Sequence, residues 1–179
     1  MPFAEIALFG LLLAAPLPEG TGRTAAPAAA ADEDAPLPLE VLLEAPGGAP
    51  PAAGEITVRW TIRNLGGAAL PLASWQFPLD PLEADLFEVE LDGRPVRFRG
   101  GPPPRHRPEP HELVTLPPGG SVSGRVRLSG LYDFRPAGDY SIRYRVDALA
   151  IVGTRFVTAP VRSNAVRLRR GSVATRPDA

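Results

Sequence analysis

Residues 55–64 read EITVRWTIRN, and apolar and polar side chains alternate through them without a break. Ile56, Val58, Trp60 and Ile62 fall on one face; Glu55, Thr57, Arg59, Thr61 and Arg63 fall on the other. A period of two, built from β-branched and aromatic residues, marks a half-buried strand, because side chains on extended backbone point to opposite sides in turn. The pattern recurs. LFEVELDG sets Phe87, Val89 and Leu91 opposite Glu88, Glu90 and Asp92; Gly93 then suits a positive-φ turn, and PVRFRG returns with Val96 and Phe98 inward. SVSGRVRLSG aligns Val122, Val126 and Leu128 with Gly124 between them, and DYSIRYRVD aligns Tyr140, Ile142, Tyr144 and Val146. LPLEVLLEAP supplies a first strand, with ALAIVGTRFVT and NAVRLRR as the last two.

Strands with one polar face must bury the other against a second sheet. The 23 prolines scattered through the chain discourage long helices. The predicted fold is therefore all-β, an immunoglobulin-like antiparallel β-sandwich of about seven to nine strands. Within it, SWQFPLD reads as a core strand reaching a corner. Trp75 and Phe77, two apart, share the buried side, Pro78 stops the ladder and Asp80 tips the turn.

The sandwich is assigned to residues 38–170, with a tail over 171–179. The ten apolar residues Ile6–Ala15 are too few to span a bilayer, which needs about 20. They match the apolar core of an export signal over residues 1–20, although Glu5 precedes them and no Arg or Lys does. Residues 21–37, rich in Pro and Ala, form a linker expected to be disordered. A secreted or periplasmic, cell-envelope location is expected, with no stable membrane span; an ordinary apolar tail is the rival reading of the N-terminus.

Cysteine is absent, which excludes disulfides, thiolate chemistry and Cys-ligated zinc. A net charge of −1 gives no field to gather nucleic acid, and no aromatics interleave with the arginines to stack bases. All basic residues are arginine, a usage that fits coding bias in a chain so rich in Ala, Pro and Gly. Arg94, Arg97, Arg99, Arg105, Arg107, Arg125, Arg127, Arg143 and Arg145 occupy outward positions, either as a solvated face or as a partner surface.

His106 and His111 lie in RHRPEPHE. A zincin helix needs His-Glu-x-x-His, whereas Thr115 stands where the second ligand would follow His111, and Pro108 and Pro110 forbid a helix. A metal site from the two histidines and a carboxylate is the enzymatic alternative; a solvated loop is the simpler reading. Asp80, Glu83 and Asp85 could serve acid–base or calcium chemistry, but carboxylates in a Pro-rich turn more often cap or solvate. Neither a Gly-x-Ser-x-Gly nucleophile elbow nor a phosphate-cradling loop is present. The expectation is a non-catalytic protein without cofactor or resident metal.

Several weak signals occur in a recognisable order. A strand ends at Asn64; a corner follows with Trp75, Pro78 and Leu79; then come Asp85, Phe87 and Val89, with Asp92 and Gly93. Phe98 and Gly100 precede an Arg- and Pro-containing loop with Arg105 and Pro108. Leu116, Pro118 and Gly119, then Leu128, Ser129, Tyr132 and Asp133, then Gly138, Tyr140, Ile142 and Tyr144 complete the series. Over residues 38–146 this resembles the N-terminal, non-catalytic, propeptide-like region of bacterial deuterolysin-like zinc metallopeptidases. It is more loosely similar to bacterial intracellular proteinase inhibitors. The resemblance implies an immunoglobulin-like sandwich that docks on a protease. It implies no peptidase activity, because the chain carries no His-Glu-x-x-His and no peptidase domain.

Two functions are expected. One is an exported binding module that inhibits a peptidase, a metallopeptidase above all, or assists its folding. Its contact would be the stiff segment RGGPPPRHRPEP, with Arg99, Arg105, His106, Arg107 and His111 as candidate partner-binding residues. The other is a structural or adhesive envelope domain with a different partner.

Overall fold

A computed structural model describes residues 36–45, 55–102 and 106–171. The predicted export segment, nearly all of the linker, Arg105 and the tail beyond residue 171 lie outside them. The described chain is an antiparallel β-sandwich. Its strands are β1 (Leu39–Glu44), β2 (Thr57–Asn64), β3 (Leu70–Ala73), β4 (Phe87–Leu91), β5 (Arg94–Pro95), β6 (Leu113–Leu116), β7 (Ser121–Arg127), β8 (Gly138–Val152) and β9 (Arg155–Arg170). One sheet has the order β1-β2-β7; the other runs β5-β4-β8-β3-β6, with β9 paired along β8.

The alternation in the sequence sets how the sheets face each other. Val58, Trp60 and Ile62 of β2 point inward, as do Phe87 and Val89 of β4 and Tyr140, Ile142 and Tyr144 of β8. Trp60, 1% exposed, lies in the cross-strand row Leu43–Trp60–Gly124. Its indole occupies the space a side chain at 124 would need: a Cβ there would stand 2.7 Å from Trp60 Cζ2. Large opposite small is how a core reaches native density.

Buried hydroxyls are tied to backbone, as burial requires. Tyr140 donates to the carbonyl of Pro136, four residues back, at 2.8 Å. Tyr144 donates to the carbonyl of Gln76 at 2.9 Å. Tyr132 donates to Asp85 Oδ1 at 2.6 Å, so this carboxylate of the acidic turn has a structural partner. The Asn64 side chain, 0% exposed, joins the end of β2 to the loop after it and to the β6–β7 connection. Its Nδ2 donates to the carbonyls of Ala68 (2.8 Å), Leu116 (3.0 Å) and Pro117 (3.3 Å). Its Oδ1 accepts from the Gly66 N–H at 2.9 Å.

The return strand through PVRFRG stays in the ladder only over Arg94–Pro95, with Val96 and Phe98 half-buried beyond it, and three further elements depart from expectation. First, ALAIVGTRFVT is not one strand: Ala148–Val152 ends β8, Arg155–Thr158 begins β9, and Gly153 (φ 63°) lies in the turn between. Second, β3 and β6, four residues each, pair with one another without an alternating sequence. Third, Trp75 is not a core residue. Ser74–Gln76 form a turn of 3₁₀ helix, which leaves Trp75 half-buried at the surface while Gln76, Phe77 and Pro78 are buried. Residues two apart share a face on a strand but not on a helix of three residues per turn. The core indole is Trp60, packed against Phe77 with ring centroids 6.2 Å apart.

Candidate functional site

β3 is the element that gathers the site. It pairs with β6 so that Ala73 faces Leu113, and it meets β8 at Leu72–Ala150. The turn after β3, the segment before β6 and the tip of the β8–β9 hairpin are thereby brought to one end of the larger sheet.

The segment before β6 is held by a single carboxylate. Glu112 Oε2 accepts the backbone N–H of Glu109 at 2.8 Å, across a 3₁₀ turn that Pro110 begins. Both Glu112 oxygens lie 3.1 Å from His106 Nε2. The Glu109 N–H, then the His106 side chain, hold the Glu112 carboxyl below its ordinary value. Pro108, between these points, is buried and anchors the segment to the protein body. The loop is thus stapled at both ends and stiffened by proline, which lowers the ordering cost of binding.

The side chains it presents are of the kind that dominate interfaces. The His106 imidazole lies against Trp75, with ring centroids 5.1 Å apart. The Arg107 guanidinium lies 5.5 Å from the ring centroid of Phe156, a hairpin-tip residue that is 41% exposed. His111 has a side chain 74% exposed, with Nδ1 3.4 Å from Glu109 Oε2. Trp and Arg set on a rigid, partly exposed surface are favoured hot-spot residues.

Of the candidate residues, His106, Arg107 and His111 are therefore placed along one ordered segment. Arg105 lies outside the described residues. Arg99 contacts different neighbours: its Nη2 donates to Asp133 at 2.9 Å, and its N–H to the Leu131 carbonyl at 2.8 Å. The two histidines pair with separate carboxylates, and no group of three or more His, Cys, Asp or Glu fit to hold a metal ion occurs among the described residues. Trp75, Glu109, Glu112 and Phe156 complete the site and were not singled out as site residues from the sequence. The spacing Glu109–Glu112 across a proline is a readable capping signal; the approach of Phe156 is not local and leaves none.

No protein-family model matches the chain. A stretch of 99 residues is 36% identical to a protein described as an extracellular protease from Aeromonas hydrophila. The similarity is to one part of that protein. The match takes in 55% of this chain and 28% of that protease's length, so the chain spans less than a third of the relative it matches. A solved structure from Archaeoglobus fulgidus aligns over 75% of this chain and 97% of its own. At 11% identity and a TM-score of 0.31, that likeness is too loose to bear on fold or function. No helix among the described residues is long and apolar enough to cross a membrane.

Proposed function

We propose that this chain is a non-catalytic, exported module that docks on a peptidase, inhibiting it or assisting its folding. The carrying observation is the stapled segment His106–Glu112, which sets His106 against Trp75 and Arg107 over Phe156 and leaves His111 exposed at its end. Similarity to part of an extracellular protease supports a protease-associated role and an exported location. The resemblance to the propeptide-like region of deuterolysin-like metallopeptidases makes a zinc endopeptidase the preferred partner. A proline-stiffened loop loses little conformational entropy on entering a cleft, and its Arg and aromatic residues supply contact area.

The test is kinetic. The purified chain is added to a panel of mature extracellular zinc endopeptidases, including any encoded beside it, and substrate cleavage is followed over time. Slowed cleavage by at least one peptidase, relieved by Arg107→Ala together with His111→Ala, is expected. Unchanged rates across the panel, with unchanged refolding yields of the same peptidases, would eliminate the proposal in favour of a structural or adhesive domain.

A further inference from the structure

Arg99 belongs to a second surface feature. After β5 the chain leaves the ladder and runs beside Leu131–Asp133, joined by the Arg99 N–H to Leu131 carbonyl bond at 2.8 Å. The Phe98 ring packs on Tyr132, with centroids 5.3 Å apart. Here a cleft of about 480 Å³ opens, lined by Val96, Arg97, Phe98, Arg99, Gly100 and Asp133.

Asp133 is the acidic residue in the lining, and it is already saturated. Arg135 donates to it from Nε (2.8 Å), from Nη2 (2.6 Å) and from its backbone N–H (3.1 Å), while Arg99 adds Nη2 at 2.9 Å. The Arg135 bonds, more than the charge of Arg99, hold the Asp133 carboxyl well below the usual carboxylate range. Asp133 therefore acts as a fixed anchor for the Arg99 guanidinium and keeps it in place without a ligand. Arg97, on the same wall, is exposed and has no hydrogen bond or ion pair among the described residues. Three guanidiniums (Arg97, Arg99, Arg135) against one carboxylate (Asp133) leave two positive charges around the cleft. Its other walls are apolar: Val96 and Phe98 are half-buried, and Phe98 lies so close over Gly100 that a Cβ there would meet the ring.

We infer that this cleft is a receptor for an acidic side chain, carried next to an apolar residue on an extended peptide of a partner protein. The planar fork of a pre-fixed arginine matches a carboxylate through paired N–H donors, and the second guanidinium supplies the remaining charge. Val96 and Phe98 receive the apolar neighbour. The inference stands apart from the docking segment at 106–112 and survives if that segment binds nothing.

Fluorescence anisotropy of a labelled peptide containing Glu-Leu-Glu tests it on the full chain, with a Gln-Leu-Gln peptide as control. The Glu peptide should bind about tenfold more tightly than its control and weaken with added salt. Arg97→Gln and Arg99→Lys should each cost a further factor of about ten, with the far-ultraviolet circular dichroism unchanged. Arg125→Gln, on β7 in the other sheet, should bind as the parent does. Equal affinity for the two peptides overturns the inference, as does an Arg97→Gln protein that binds normally. Tighter binding of a phosphoserine peptide than of the Glu peptide contradicts the carboxylate assignment.

Discussion

Asn64→Ala isolates the joint on which the sandwich depends. The Asn64 side chain is fully buried, donates to the carbonyls of Ala68, Leu116 and Pro117, and accepts from Gly66. Alanine leaves the Leu116 carbonyl without this partner in a buried setting, at about 1–3 kcal/mol. The bonds to Ala68 and Gly66 are only part-buried, so water replaces much of them, and each contributes nearer to about 0.5–1 kcal/mol. A small cavity adds to this, and the sum is about 3–5 kcal/mol. For a domain of this size that lowers Tm by roughly 10–20 °C. Differential scanning calorimetry, with urea unfolding as a second measure, reads the change. Asn64→Asp is the informative companion, since it keeps the acceptor for Gly66 but turns a carboxylate toward three carbonyls. Its folded-state pKa is raised, so its stability should recover as pH falls and be lost again as pH rises through that value. A loss under about 0.5 kcal/mol for Asn64→Ala, the level of an ordinary surface change, would refute the reasoning.

Three further outcomes are expected. Trp60→Ala should cost about 3–5 kcal/mol, whereas Trp75→Ala, at a half-buried site, should cost about 1–2 kcal/mol; urea unfolding compares them, and equal losses would restore Trp75 to the core. Gly124→Ala places a methyl against the immobile Trp60 indole and should destabilise by about 1–3 kcal/mol, with a perturbed near-ultraviolet signal; a neutral result would show that the row repacks freely. Glu112 has a carboxyl held below its ordinary value, so the order it confers on residues 106–112 is complete above the unfolded-state value and fades as pH falls through the folded one. The Trp75 indole N–H resonance should therefore show a step in strong acid as Glu112 takes up its proton, and Glu112→Ala should abolish that step.

The fold was legible wherever a strand had one wet face and one dry face. Alternation alone located β2, β4 and β7, together with the first half of β8, and it oriented Trp60, Val89 and Ile142 correctly. It was silent for β3 and β6, whose sequences LPLA and LVTL are too short to show a period. It misleads at Ser74–Gln76, where a period of two would turn Trp75 inward but the backbone forms a 3₁₀ turn. The hairpin turn at Gly153 was hidden because apolar residues continue on both sides of it.

The candidate site was half legible. Its prolines, His106, Arg107 and His111 stand together in the chain, so stiffness and composition could be read locally. Trp75 and Phe156 join them only through the pairing of β3 with β6 and with β8, a non-local fact that no window of sequence carries. Arg99 is near the loop in sequence, yet its anchor is Asp133, 34 residues away.

Hydrogen exchange on the chain, alone and with the peptidase that the cleavage panel selects, tests docking most directly. The account predicts new protection over residues 106–112, over Ser74–Phe77 and at the hairpin tip around Phe156, with the outer face of the β1-β2-β7 sheet unchanged. Protection confined to that sheet, or no protection anywhere, would contradict it.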